Sequence, residues 1–378
     1  MVRNDALTFP RGLSELISMF LFDAHLDLAM NAMEWNRDLR QPLNAVRERE
    51  SAWTDKPDRG NGVLTFPEMR KGRIGLCVAT QIARYVKPGS KLSGWHSPEQ
   101  AWAQTQAQLA WYRAMEEQGE LLQITDGIQL EAHVEKWLAL DAESGNPDQL
   151  PIGYILSLEG ADSMVNLSYL ERSYEFGLRA LGLGHYGPGT YAPGTGAEGG
   201  LSQAGKDLLR EMDRLGMILD LTHLSDEAFW EAMDLFKGQV WASHCNCRSI
   251  IPHQRQLNDD QLKAIIQRNG VIGMVFDAWM MHVGWERGTT TPQSAGLKLE
   301  RIIDHIDHIC QLAGNADHVG IGSDLDGGYG TEQCPADVQS IADLQNLEGL
   351  LTSRGYTEAQ IRSVFHGNFL NALRRAWA

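Results

Sequence analysis

The sequence predicts an α/β chain closed into a (β/α)8 TIM barrel, with loops inserted at the mouth where its strands end. Three observations lead there: eight short, β-rich apolar runs; longer amphipathic helical patterns between them; and a length of 378 residues, ordinary for a barrel with insertions. Strands alternating with helices imply parallel pairing with crossovers, and about eight such units over this length close naturally into a ring.

In chain order, strands are expected at 19–27, 74–82, 152–159, 178–185, 217–223, 240–244, 271–276 and 319–324. Helical patterns cover 202–215, 226–236, 259–268 and 297–312, and two of them begin with plausible caps, Ser202 and Asn258. Two stretches depart from the repeat. Residues 31–69 are polar, rich in Trp and Arg, and read as an excursion over the barrel mouth after the first strand, with Trp35 and Trp53 as candidates for a pocket wall. Residues 186–200 form a Gly/Pro loop directly after a strand, either a surface connector or a lid, because such loops build barrel active sites. With no further repeat, low-complexity tail or linker in view, 1–378 is expected to be a single barrel domain.

Composition narrows the function classes. Hydrophobic residues at 43% and charged residues at 22% support a large core. The 33 Lys plus Arg against 49 Asp plus Glu leave a net charge of −16, which repels nucleic acid and anionic membranes, so neither is expected as a partner. No apolar run approaches the ~20 residues of a membrane span. The stretch from Leu13 to Phe22 is interrupted by Ser14, Glu15 and Ser18 and lacks a small-residue cleavage site, so no signal peptide is expected. Cys77, Cys245, Cys247, Cys310 and Cys334 show no paired spacing, which fits reduced thiols and a cytoplasmic location.

The chemistry lies at the ends of the runs. The first closes on His25-Leu26-Asp27, the third on Glu159, the fourth on His185, the fifth on His223, the sixth on His244 and the eighth on Asp324. In a barrel all these positions open into one cup, whatever their sequence separation. His25 and Asp27 project from one face of a strand, about 6.5–7 Å apart along the backbone, which suits two ligands of one ion. His-x-Asp alone is a weak signal, and His223 or His244 alone would read as a satisfied strand-end histidine. Glu159, closing an apolar run, is harder to read that way because an unpaired carboxylate is costly to bury. Together His25, Asp27, Glu159, His223 and His244 offer three imidazoles and two carboxylates, a set suited to zinc, and two ions need a shared carboxylate. His305 and His308 read as a solvated helix face, and Cys245-x-Cys247 lacks the partner cysteines of a metal cluster.

These residues resemble the renal, or membrane, dipeptidase family of binuclear zinc peptidases among the amidohydrolase-like barrels, as a soluble bacterial-type member. The likeness runs from Phe22-Asp23-Ala24-His25-Leu26-Asp27 to His366-Gly367-Asn368-Phe369-Leu370. Between these it takes in Ser157-Leu158-Glu159-Gly160-Ala161, the stretch 200–223, Ala242-Ser243-His244 and the stretch 320–328. The resemblance implies two Zn2+ per chain, one held by His25 and Asp27, the other by His223 and His244, with Glu159 bridging. It implies hydrolysis of dipeptides, L-Xaa–D-Xaa among them, by a metal-bridging hydroxide. His185 would stabilise the oxyanion, Asp324 would move the proton and Arg255 would hold the free carboxylate of the substrate. Asp326, two residues on, shares a strand face with Asp324, which is preferred because it closes the apolar run. A homodimer is a further expectation of the resemblance.

Departures from the family pattern fall around the substrate. Cys245-Asn246-Cys247 follows His244 where relatives carry small or polar residues, and Phe276-Asp277 stands where many show a Phe-Tyr pair. The excursion at 31–69 is unlike that of the mammalian enzymes. Alternatives on the same barrel are an amidohydrolase for an N-acyl amino acid, other small amide or lactone, and a metal-dependent lyase or decarboxylase. A barrel that has lost catalysis is disfavoured, since the ligand set and an acid/base candidate occur together.

Overall fold

Nine strands, all in parallel register, make one sheet among the described residues: β1 (Leu21–Leu26), β2 (Ile74–Gln81), β3 (Leu121–Gln123), β4 (Ile152–Glu159), β5 (Leu178–Gly182), β6 (Ile218–Asp220), β7 (Val240–Trp241), β8 (Ile272–Met274) and β9 (Val319–Ile321). The computed structural model describes residues 19–143 and 146–378, so the segment from Leu13 weighed as a signal peptide lies, up to residue 18, outside the described residues. The order β7-β6-β5-β4-β2-β1-β9-β8 is joined end to end by the bridge Ala242↔Ile272, where Gly273 N donates to Ala242 O at 2.8 Å. The expected eight-stranded (β/α)8 barrel is the result. The ninth strand, β3, pairs with residues 152–154 of β4, below the point where β5 takes the same edge; three residues are too few to show a period.

β1 and β2 are buried along their whole length, as parallel strands covered on both faces should be. Alternation sorts their side chains: Phe22 packs outward on Phe369 of the helix Asn368–Ala376, ring centroids 5.5 Å apart, while Asp23 turns the other way to bind Ser323 N at 2.8 Å. The ring closes tightly on that side. A Cβ added at Gly273 or Gly322 would stand 1.9 or 1.7 Å from Ser243 O, so only glycine fits either position.

Helices 203–215, 226–235 and 259–267 match their expected patterns, with Ser202 and Asn258 accepting from backbone N–H groups as caps. The pattern at 297–312 becomes the helix Arg301–Ala313. The strands at 178–185, 217–223, 240–244 and 319–324 each end three residues early. Beyond the ladder, His223 (φ 72°) and Asp324 (φ 57°) adopt left-handed backbone.

The stretch 31–69 carries the helices Leu43–Glu50 and Phe66–Lys71. It is tied to the loop after β9, because the Asp326 carboxylate accepts from Val63 N at 2.8 Å and Leu64 N at 3.0 Å. Trp35 Nε1 binds Asp58, and Trp53 lies against Arg59, so both rings are engaged within the excursion. No helix among the described residues is long and apolar enough to cross a membrane.

Candidate metal centre

Four of the expected site residues stand three positions beyond the last ladder residue of their strands: His185 after Gly182, His223 after Asp220, His244 after Trp241 and Asp324 after Ile321. Glu159 is the last residue of β4, and His25 and Asp27 leave one face at the end of β1. Equal offsets on a closed ring bring the side chains to one height above its mouth.

Glu159 Oε1 is the hub. It lies 3.2 Å from His223 Nε2, 3.3 Å from His244 Nε2, 3.7 Å from His25 Nε2 and 3.9 Å from His185 Nε2. His25 Nε2 is also 3.9 Å from Asp27 Oδ2 and 3.8 Å from Asp324 Oδ1. Three overlapping groups of donor atoms result, each within 4.8 Å: His25, Glu159 and His244; Glu159, His185 and His223; His25, Asp27 and Asp324.

The residues fit metal ions on three counts. Two ligands of one tetrahedral zinc, each about 2.1 Å from it, stand roughly 3.4 Å apart, close to the separations around Glu159. Both ring nitrogens of His25 are buried with no hydrogen-bond partner among the described residues, an expense a native fold avoids unless something binds there. Carboxylates are crowded without enough countercharge. Burial, then the Glu159 charge, raises Asp27 to about 8, and burial, then Asp27 and Glu159, raises Asp324 well above the ordinary range. A cation between them would reverse that repulsion. Burial lowers His25 to about 3 and His244 to about 4, so at neutral pH their lone pairs are available.

Behind these groups lies an outer layer that sequence reading missed. Thr195 Oγ1 is 2.9 Å from His223 Nδ1, Ser243 Oγ is 2.8 Å from His244 Nδ1, Thr80 Oγ1 donates to Asp27, and Arg84 Nη2 reaches His185 Nδ1 at 2.6 Å. Each histidine partner holds the ring by Nδ1 and leaves Nε2 turned to Glu159. The Gly/Pro loop is ordered here: Gly187 N donates to Thr195 O at 2.9 Å, and the Tyr186 ring packs edge-on against His185 and His223.

Arg255 is 4% exposed and shows no ion pair among the described residues. Its guanidinium donates to His244 O at 2.9 Å and to Cys245 Sγ at 3.0 Å, and its charge helps lower His223 and His244 once burial has acted. Asp277 accepts from Trp279 Nε1 at 2.7 Å and Gln333 Nε2 at 2.8 Å, and burial raises it to about 7. Asp326, the rival of Asp324, is fully buried and occupied by Val63 and Leu64. One expectation is corrected: His305 is not on a solvated face but buried, its Nδ1 accepting from Cys247 N at 3.1 Å. Apolar residues before and after it turn that side of the helix onto the barrel. All five cysteines are free.

The family model described as membrane dipeptidase (peptidase family M19) matches residues 14–377. Dipeptidase tcpJ of Claviceps purpurea is 30% identical over 233 residues, 59% of this chain and 51% of its own length. An uncharacterized protein in the pqqA 5′ region of Klebsiella pneumoniae is 29% identical over 248 residues, 63% of this chain and 87% of its own. The chain thus spans about half the length of the first relative and most of the second. Among solved structures, dipeptidase AC, a metallopeptidase of family M19, superposes with a TM-score of 0.74 at 25% identity, covering 95% of this chain and 99% of that one. A metallopeptidase from Rhodobacter sphaeroides, solved with a phosphinate mimic of the dipeptide L-Ala-D-Ala, shares the fold with a TM-score of 0.72 at 24% identity, covering 95% and 100%.

Proposed function

The chain belongs to the membrane dipeptidase family, peptidase family M19, and on that premise we propose that it is a zinc-dependent dipeptidase with two zinc ions per chain. The observation that carries this is the convergence of four imidazole Nε2 atoms within 3.9 Å of one carboxylate oxygen, Glu159 Oε1. Imidazole and carboxylate without thiolate favour zinc over softer metals.

His25 and Asp27 would hold one ion, His223 and His244 the other, and Glu159 both. Bound there, the ions supply Lewis-acid chemistry that makes water nucleophilic at neutral pH and polarises a carbonyl. The chain's own groups do the rest. Arg255, a buried cation with no carboxylate ion-pair partner among the described residues, receives the free carboxylate of the dipeptide through its planar fork. His185 Nε2 faces the centre from 3.9 Å beyond Glu159 Oε1 and donates to the carbonyl oxygen as charge develops on it. Asp324, with its affinity for a proton raised by burial, takes one from the attacking water and passes it to the departing amine. One water is consumed, the C–N bond breaks, and an amine and a carboxylate leave. L-Xaa–D-Xaa dipeptides are included in the proposed range.

The test is a panel of L-Xaa–L-Xaa and L-Xaa–D-Xaa dipeptides offered to protein whose metal has been counted. Turnover with close to two zinc ions per chain, abolished by EDTA and restored by zinc, is the expected result. No turnover across the panel overturns the reading.

A further inference from the structure

His185 sits in a group of donor atoms with Glu159 and His223 and so resembles a metal ligand by position alone. The groups behind the histidines separate the roles. His223 and His244 meet hydroxyls, Thr195 and Ser243, which can accept a hydrogen bond from Nδ1–H and leave Nε2 with its lone pair. His185 Nδ1 instead meets Arg84 Nη2 at 2.6 Å, and a guanidinium has hydrogens to give and no lone pair to take one. Nδ1 must therefore be the acceptor. A ring whose Nδ1 accepts carries no hydrogen there and is neutral. Its single hydrogen is then on Nε2, the nitrogen turned to Glu159 Oε1 from 3.9 Å, beyond hydrogen-bond reach.

We propose that Arg84 is a positioning residue that fixes the Nε2–H tautomer of His185, making this histidine a hydrogen-bond donor to the substrate oxygen and excluding it from the metal-ligand set. Arg84 touches the ring on the side away from Glu159 and is anchored from behind, where Nη1 donates to Ser93 O at 3.0 Å. It also lines a pocket of about 260 Å³ with Tyr186 and Thr190. Without it, the Nδ1–H tautomer becomes available and presents a lone pair to the developing oxyanion instead of a donor. The inference rests on the dipeptidase reading only for the identity of that oxygen.

The experiment is 15N spectroscopy of histidine-labelled, zinc-loaded protein, with the His185 signals assigned by their loss in His185→Gln. Nδ1 should read as unprotonated and Nε2 as protonated. In Arg84→Met the two nitrogens should move toward an average, with unchanged metal content, kcat lower by about 10–100-fold and KM little altered, the size seen when a partner behind a site group is lost. Arg84→Lys, which keeps a donor, should recover part of both signals. An unprotonated Nε2 in the parent, or an Arg84→Met protein with the parent's spectrum and kcat, overturns the inference. If Arg84→Met does not fold, the parent spectrum and Arg84→Lys still decide it. Absence of any dipeptide turnover by the parent would instead sink the functional reading and leave the tautomer result standing.

Discussion

The hydroxyl of Thr195 lies 2.9 Å from Nδ1 of His223, a contact between the Gly/Pro loop and the end of β6 that turns the imidazole's other nitrogen to Glu159. Thr195→Val keeps the shape and removes the bond. Metal affinity should fall by about 10–100-fold, read by competition with a chromogenic chelator, and an unchanged affinity would show the loop to be a bystander.

Glu159 lies within 3.9 Å of all four imidazole Nε2 atoms. Glu159→Ala should bring the metal count below two per chain and lower kcat/KM by at least about a hundredfold. Stripping metal from the parent should lower its melting temperature by about 5 °C or more, because ligands that bind only the folded state stabilise it.

Arg255→Ala removes a buried cation that has no carboxylate ion-pair partner among the described residues. A charge-assisted hydrogen bond is worth about 1.5–3 kcal/mol, so kcat/KM for dipeptides should drop roughly 10–100-fold. The parent should discriminate against C-terminally amidated dipeptides by a similar factor, and the variant should not. Equal losses on both substrates would favour an amidohydrolase that reads no carboxylate.

Asp324→Asn tests proton transfer without disturbing the fold, since asparagine tolerates the left-handed φ of 57° at this position. Activity should fall by about 10²–10⁴ while the melting temperature stays near that of the parent.

Asp277 gives a stability signature. Burial raises it from 3.8 to about 7, so the folded chain keeps this proton where the unfolded chain has lost it. The group therefore costs nothing below its unfolded value, and stability declines as pH rises toward 7, where the buried charge appears. Urea unfolding from about pH 5 to about pH 8 should show a shallower decline in Asp277→Asn than in the parent.

Much of this site could be read before any coordinates. Apolar runs closing on His25-Leu26-Asp27, Glu159, His223 and His244 announce it jointly, because each has another reading alone but all of them open into one cup in a barrel. The early ends of β5, β6, β7 and β9 could not be read, and nothing local to His223 or Asp324 announces their left-handed backbone. Asp324 and Asp326 share a sequence pattern, and only the approach of Val63 and Leu64 shows that Asp326 is occupied.

Periodicity along the chain, a property of each segment's own residues, was enough to determine the barrel and which strand ends carry imidazole and carboxylate. Which partner stands behind each of those groups was decided by tertiary structure alone. Thr80, Thr195 and Arg84 reach the site from other loops or strand ends, while Ser243 adjoins His244 in the chain, and a hydroxyl or guanidinium has no pattern in sequence to mark whose nitrogen or oxygen it will meet. That meeting depends on the lateral packing of strands in the sheet, which brings residues 28 and 101 positions apart within hydrogen-bond distance.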